Sequence, residues 1–442
     1  MRVLVLSSIK DPLMPCHPAR ARELLKKGQA AVFRQYPFTI ILKNRQAGIC
    51  QPFELKIDPG SKATGMTLVA DCKKGYRVFW ASEVTHRGQA VRSSLAERRA
   101  IRKNRRNRKT RYRAPRFLNR TRPEGWLAPS LMSRVYNMQT WAARLIKVCP
   151  VTDIHLELNK FDTQLMENPE ITGVEYQQGT LVGYEIREYL LEKWGRKCVY
   201  CGKENVPLEI EHIIPRSRGG SSRISNLALA CKTCNKDKGN MTAEEFGYPE
   251  VQKAAKLPLR DAAAMNATRY AIGRALKQTG LYVAFWSGGR TKFNRISQNY
   301  PKEHWIDAAC IGETGDRVII PAGTKPLNIT AAGHGNRQMC GTNKYGFPIR
   351  HRTRDKKYFG FCTGDIAKAI VPKGKYVGTY IGSIAIRASG YFDIKNGAGK
   401  RIVQGISHKY FKTVQHFDGY RYETGNAFLP AINCRASCVE GS

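Results

Sequence analysis

The sequence predicts a multidomain α/β protein in which a cysteine-rich module is inserted between pieces of a larger sheet. Three observations predict it. Strand-like runs ending in acidic residues stand before and a helix-like run stands after a segment with two Cys-x-x-Cys pairs, Cys198/Cys201 and Cys231/Cys234. Arg92–Arg116 carries the densest positive charge, with no acid after Glu97. Beyond Gly315 the chain turns to short β-rich runs punctuated by glycine. At 442 residues it also exceeds what one core usually organises.

The first stretch reads as a small basic α/β module. A strand at Val3–Leu6 is followed by Asp11-Pro12-Leu13-Met14-Pro15, where the prolines flank a turn. A helix near Ala19–Lys27 and strands at Ala31–Arg34 and Thr39–Leu42 complete it. Phe53–Ser61 then reads as a strand ending in Asp58 before a tight Pro-Gly turn. Gly65–Ala70 and Arg77–Ala81 follow as strands, and Asp153–Asn159 alternates so as to place Glu157 on another. His304–Cys310 reads as a helix start with His304 and Asp307 on one face. Taken singly, these acids also suit a turn, a strand end and a first helical turn.

Arg92–Arg116 is free of Gly and Pro until Pro115 and rich in helix formers, with Ser93 or Ser94 as a cap. A helix of about 22 residues would be about 33 Å long. So many like charges repel one another unless a polyanion is bound, the bland alternative being a solvated linker. Only Phe117–Ser130 separates it from an amphipathic helix at Leu131–Val148. In the C-terminal region, strands are expected at Lys357–Cys362, Tyr376–Ile386 and Tyr391–Ile394. Before them Arg350, Arg352 and Arg354 alternate with His351 and Thr353. Together with Lys356, Lys357, Tyr358 and Phe359 they suggest a small β-barrel-like domain offering charge and rings to nucleic acid. A solvated, charge-protected edge strand is the alternative.

Composition agrees. Lys and Arg number 74 against 35 Asp and Glu, a net charge of +39, while 42% hydrophobic content is enough for packed cores. That balance points to a polyanionic partner, naturally nucleic acid. No signal peptide is expected, since the apolar start Met1–Leu6 is too short, and no run is long enough to span a membrane. Of 13 cysteines, four fall in the two pairs; the scattered remainder includes Cys434 and Cys438 and suits reduced thiols and an intracellular, cytoplasmic protein.

The chemistry is densest between Cys198 and Asn240. Four thiolates in two knuckles suit a closed, structural tetrahedral zinc; a redox dithiol or unrelated core thiols would explain one pair alone. Between the knuckles runs Glu211-His212-Ile213-Ile214-Pro215, after a short strand at Leu208–Ile210, and Asn226 and Asn235 follow. His212 can take a proton from water, and Glu211 and Asn235 offer hard oxygens to a magnesium-like ion. This segment resembles an HNH (ββα-metal) endonuclease with an added zinc knuckle. Asp58, Glu157 and Asp307, in that order around it, resemble the carboxylates of the RuvC-like branch of the RNase H fold, where two divalent ions activate water.

The whole order resembles the transposon-encoded IscB family, compact relatives of the CRISPR HNH/RuvC effectors, whose "PLMP" element matches Pro12–Pro15. The resemblance has specific motifs over about residues 1–315. It implies a PLMP-type domain at 1–50, RuvC-like parts at 51–91, 117–185 and 246–318, and a bridge helix at 92–116. An HNH domain would occupy 186–245 and a β domain reading a target-adjacent motif 319–442. It further implies an RNA-guided DNA endonuclease, monomeric with a long structured guide RNA and acting on double-stranded DNA. His212, Glu211 and Asn235 would cut the guide-paired strand. Asp58, Glu157 and Asp307, with His304 handling water, would cut the displaced one. Magnesium or manganese would serve both sites. Arg98, Arg99, Arg102, Arg105 and Arg106 would grip RNA, and Arg350, Arg352 and Arg354 DNA. No room is left for the large recognition lobe of the bigger relatives, and Glu211 stands where aspartate is commoner. The alternatives are an unguided homing or junction-resolving nuclease and a non-catalytic RNA-binding protein; the intact acids argue against the second.

Overall fold

The computed structural model describes residues 1–107, 123, 125–158, 187, 189–191, 193–204, 206–255, 260–334, 340–345, 347–351, 355–396 and 399–429. The side chains of Arg105 and residues 260–267 are outside that description, as are Arg352, Arg354, Cys434, Cys438 and residues 108–116 of the basic run. The chain divides into two compact units, Met1–Leu158 with Tyr270–Ser442, and Asn159–Arg269. The second encloses the cysteine pairs.

In the first unit, β1 (Val3–Leu6), β2 (Pro12–Cys16), α1 (Pro18–Lys26), β3 (Ala30–Arg34) and β4 (Thr39–Leu42) form a sheet of order β2-β1-β4-β3. Pro12–Pro15 is therefore strand, not turn. β2 is an edge, where prolines lose no ladder bond, and the turn falls earlier, with the Ser7 amide donating to Asp11 O at 2.8 Å. Then come β5 (Phe53–Pro59), β6 (Ala63–Cys72), β7 (Gly75–Thr85), α2 (Gly88–Asn107), α3 (Pro129–Ile146) and β8 (Val151–Glu157). The basic helix starts at Gly88, so Ser93 and Ser94 lie within it and cap nothing. Gly88 lies close against the Ser130 carbonyl at the start of α3, so packing against α3 sets the start.

The second unit contributes β9 (Leu208–His212), β10 (Leu227–Cys231), α4 (Lys232–Lys238), α5 (Pro249–Ala255) and the start of α6 (Arg260–Lys277). Back in the first unit, β11 (Tyr282–Trp286), α7 (Gly288–Ser297), α8 (His304–Ala309) and β12 (Leu327–Ala331) follow. The C-terminal region holds β13 (Cys340–Thr342), β14 (Pro348–His351), β15 (Lys357–Tyr358), β16 (Phe361–Cys362), β17 (Ile366–Val371), β18 (Gly378–Ala385), β19 (Tyr391–Lys395), β20 (Arg401–Ser407), β21 (Phe411–Gln415) and β22 (Tyr420–Thr424). Lys357–Cys362 is thus a hairpin, not one strand: Phe359 and Gly360 have φ of 51° and 87°, which turns the chain back at once. Strands β17 to β21 form a five-stranded antiparallel sheet around Phe361, Phe392, Phe411 and Ile394.

The large sheet runs β11-β8-β5-β6-β7-β12-β22. β11, β8 and β5 are parallel neighbours, whereas β5, β6 and β7 form an antiparallel meander. Strand alternation divides its side chains cleanly. Phe53, Leu55, Ile57, Met66, Leu68, Ile154 and Leu156 join Val135, Met138, Trp141 and Leu145 of α3 in one core. Val69, Val78 and Ala81 face the other way, against Trp305, Ile306 and Ala309 of α8. Each large side chain buried this way contributes about 1.5–3 kcal/mol. Among the described residues, no helix is long and apolar enough to cross a membrane.

Candidate active sites

The alternation that buries Ile57 and Leu156 on one face puts Asp58 and Glu157 on the other. Ile57 and Leu156 are register partners in parallel strands, so the acids one residue on emerge side by side at the same sheet end. α8 supplies the third acid from its first turn. It can lie close because Asp58 pairs with Gly65 of β6. A Cβ on Gly65 would stand 1.9 Å from the His304 carbonyl oxygen.

Asp58, Glu157 and Asp307 are all buried. His304 Nδ1 lies 3.1 Å from Asp58 Oδ2, and this hydrogen bond raises the imidazole pKa. Asp307 is held by Arg295 Nε at 2.8 Å on one oxygen and by Lys302 Nζ on the other. Burial pushes Glu157 up to about 8, with Asp58 and Asp307 adding to the rise and the Thr291 hydroxyl opposing it. Burial also raises Asp307, against the pull of Lys302. Three carboxylates thus crowd one spot, with Arg295 and Lys302 beside Asp307 and His304 beside Asp58.

Two buried side chains fix the other end of α8. Lys56 Nζ, wholly buried, donates to Ile311 O at 2.8 Å and to Thr314 Oγ1 at 2.6 Å. Asn294 Nδ2 donates to Cys310 O at 2.9 Å and Gly312 O at 2.8 Å. Lysine and asparagine thus stand where helix carbonyls end. The sequence does carry a signal for Lys56: it shares the alternating face of Asp58.

In the second unit, β9 and β10 pair antiparallel, with Leu227 opposite His212 and Cys231 opposite Leu208. Cys231 caps α4 and Cys234 lies in its first turn. The Sγ atoms of Cys198, Cys201, Cys231 and Cys234 all lie within 4.8 Å of one another. Cys201 and Cys231 are 3.7 Å apart. With Zn–S about 2.3 Å, a tetrahedral edge is about 3.8 Å, so the donors fit a structural zinc. Among the described residues this is the one group of three or more such ligands gathered so tightly; the carboxylates of the first unit are more open.

Glu211 is buried, and both its oxygens are engaged. Tyr200 donates to Oε1, and Lys238 Nζ sits 3.0 Å from Oε2, with both side chains of that pair 2% exposed. Lys238 also donates to the His212 carbonyl at 2.9 Å. Asn235 donates to Glu209 at 2.8 Å and makes no hydrogen bond with Glu211. Asn226 braces the loop after His212, accepting from the Ile214 amide at 2.8 Å and donating to Ile214 O and Ser221 O. His212 Nε2 accepts from Arg216 at 3.2 Å and lies 3.4 Å from Ser222 Oγ. Burial and then Arg216 lower its pKa, leaving a neutral base at pH 7. Tyr200, Glu209 and Lys238 were not among the sequence candidates. Lys238 follows Cys234 by one helical turn, the signal that could have found it.

Two family models match the sequence: residues 3–179 match the RRXRR protein family, and residues 198–249 match an HNH endonuclease. The chain is thus similar to RRXRR proteins over its first part and carries an HNH endonuclease-type domain around the cysteine pairs. Its α/β structure carries the HNH domain and the four-cysteine cluster together. Among solved structures, Streptococcus thermophilus Cas9 in complex with the GGAA PAM matches at 13% identity and a TM-score of 0.20, over 58% of this chain and 32% of that chain. The same enzyme with the AGAA PAM gives 14%, 0.20, 58% and 32%. The Type II-C Cas9 of Actinomyces naeslundii gives 16% identity and 0.15, over 42% and 26%. This chain thus spans about a third or less of those chains, and superpositions so loose say nothing of its fold. No curated protein sequence matches it.

Proposed function

We propose that this nuclease is an RNA-guided DNA endonuclease with two active sites, the HNH site cutting the guide-paired strand and the carboxylate site the displaced strand. The observation that carries the reading is the convergence of Asp58, Glu157 and Asp307 on one sheet end, in a chain that also has an HNH domain. Strand order and alternating acids support a RuvC-like core drawn from the parts at 51–91, 117–185 and 246–318, and the β strands after 319 a domain that reads a target-adjacent motif.

Asp58, Glu157 and Asp307 would hold magnesium or manganese, which supplies Lewis acidity and water activation when bound. His304, with Nδ1 donating to Asp58, keeps Nε2 to accept a proton from water. In the HNH domain His212 Nε2 is the base, and Arg216 beside it is placed to meet a scissile phosphate. Asn235 and Glu211 would serve a metal there, Glu211 once released from Lys238, with Glu209 beside Asn235 as a further oxygen donor. On α2, Arg98, Arg99, Arg102 and Arg106 are all exposed, and the helix buries no face from Arg92 onward among its described side chains. Such a helix suits RNA phosphates, and Arg350 on β14 is likewise exposed for DNA.

The test is strand-resolved nicking with the chain purified together with its native RNA. Asp58→Ala should leave only the guide-paired strand cut, His212→Ala only the displaced strand, and the double variant neither. Loss of all cutting in either single variant would sink the two-site reading; RNA-independent cutting would favour an unguided nuclease.

Lys302 adds a second expectation. Its side chain is 43% exposed yet pairs with Asp307, a cation beside the oxygens a divalent ion would need. Lys302→Met, in a His212→Ala/Asn235→Ala background, should bind manganese several-fold more tightly by magnetic-resonance titration. Unchanged binding would show that the lysine does not compete.

A further inference from the structure

A cavity of about 290 Å³ lies where the N-terminal sheet meets the end of α3. Its floor is apolar, formed by Leu6 and Val148, both buried. One wall is the ring of Phe33, on the edge strand β3, and that residue is 45% exposed. Lys10 and Lys147 stand exposed at its border.

Arg34 and Arg144 complete the lining, held in place from behind. Arg34 Nη2 lies 2.8 Å and Arg144 Nη1 3.0 Å from the same carboxylate oxygen of Asp418. Tyr422 also donates to that oxygen, and its ring stacks on Tyr36 at 4.6 Å. Four cationic side chains therefore contribute to the lining, mainly through their aliphatic stems, and the carboxylate bonded to the two arginines balances one of the charges. An apolar floor, the exposed Phe33 ring and two exposed lysines at the border thus frame a hole of small-molecule size, with the guanidinium heads turned to Asp418.

This combination meets the two halves of a nucleotide. A base can stack on Phe33 above an apolar floor, and the flanking phosphates can meet Lys10 and Lys147. A base inside a duplex cannot enter, because its faces are covered by its neighbours. The geometry points to a pocket for one unstacked nucleotide of a single strand, separate from both active sites. The inference rests on the reading that this nuclease binds nucleic acid. It adds a specific anchoring point on the N-terminal module, of use for a bulged or looped nucleotide in a structured RNA or for a displaced DNA strand.

The full chain, stripped of nucleic acid, is titrated with fluorescent single-stranded RNA, single-stranded DNA of the same sequence, and blunt duplex RNA, at raised salt to suppress diffuse attraction. Phe33→Ala should weaken single-strand binding about tenfold and leave the duplex unchanged, and Phe33→Trp should restore it. Lys10→Gln with Lys147→Gln should lower the slope of log affinity against log salt by about 1.4. A loss confined to the RNA, or to the DNA, identifies the strand the pocket takes. Equal affinity of Phe33→Ala and the parent for single strands, or an equal loss on the duplex, overturns the pocket. Failure of the parent to bind any of the three overturns the nucleic-acid reading beneath it. Phe33 is half in solvent, so these variants fold whichever result is obtained.

Discussion

Removing the zinc should unfold the HNH domain and leave the carboxylate site working. Cys198, Cys201, Cys231 and Cys234 join the first knuckle to the end of β10 and the start of α4. The apolar core they close, built on Tyr189, Leu208, Leu227 and Leu229, is small. In domains of this size metal binding supplies folding free energy on the order of 10 kcal/mol, more than such a core holds in reserve. α4 also carries Asn235 and Lys238, so the loss reaches the proposed catalytic face at once. Cys231→Ser, or a strong chelator followed by magnesium, should abolish guide-paired-strand cutting by at least a thousandfold. Cutting of the displaced strand should persist within a few-fold. Proteolysis checks the structural half: cleavage should become rapid within 187–255 and stay slow in the β5–β7 meander. Equal loss at both sites would mean that the second unit is needed for the fold of the first.

The converse selectivity is expected at Gly65. Any side chain there meets the His304 peptide: a Cβ would lie 1.9 Å from its oxygen and 2.2 Å from its carbon, both backbone atoms with no rotamer to change. α8 must then lift from β6, carrying His304 away from Asp58 and Asp307 away from Glu157. A displacement of about 1 Å costs about a hundredfold, and a clash this deep demands more. Gly65→Ala should therefore reduce displaced-strand nicking by a thousandfold or more, with HNH nicking within a few-fold of the parent. Gly125→Ala is a fitting control, because a Cβ there has nothing within 4 Å, though its φ of 69° adds some strain. Normal displaced-strand nicking in Gly65→Ala would show that the close approach does not govern the site.

What could be read from sequence was what a single strand or knuckle encodes locally. Asp58 and Glu157 were legible because alternation fixes their face relative to the apolar residues beside them. The cysteine spacing likewise reports a knuckle without its partner. Gly65 was not legible as a site residue, because its importance comes from a helix that begins some 240 residues further on, at His304. Lys56 looks like an interruption of a buried strand until the carbonyls of Ile311 and Ala309 are seen above it. Glu211 shows the limit from the other side: the motif gives the acid, but its burial against Tyr200 and Lys238 depends on packing between the knuckles. The N-terminal prolines read as a turn because strand edges cannot be told from strand centres in one sequence.

The strand order has a consequence for how the molecule is made. β5, β8 and β11 are neighbours in the sheet, yet they come from residues 53–59, 151–157 and 282–286, and the outer β22 only from 420–424. The cysteine unit is one unbroken stretch, Asn159–Arg269. As the chain leaves the ribosome, that stretch can fold while the large sheet still lacks three of its seven strands. His212 is thus in place early, whereas the carboxylate cluster is assembled only after α8 has been synthesised. A ribosome stalled between the two would release a chain with the cysteine unit folded and the carboxylate cluster unmade.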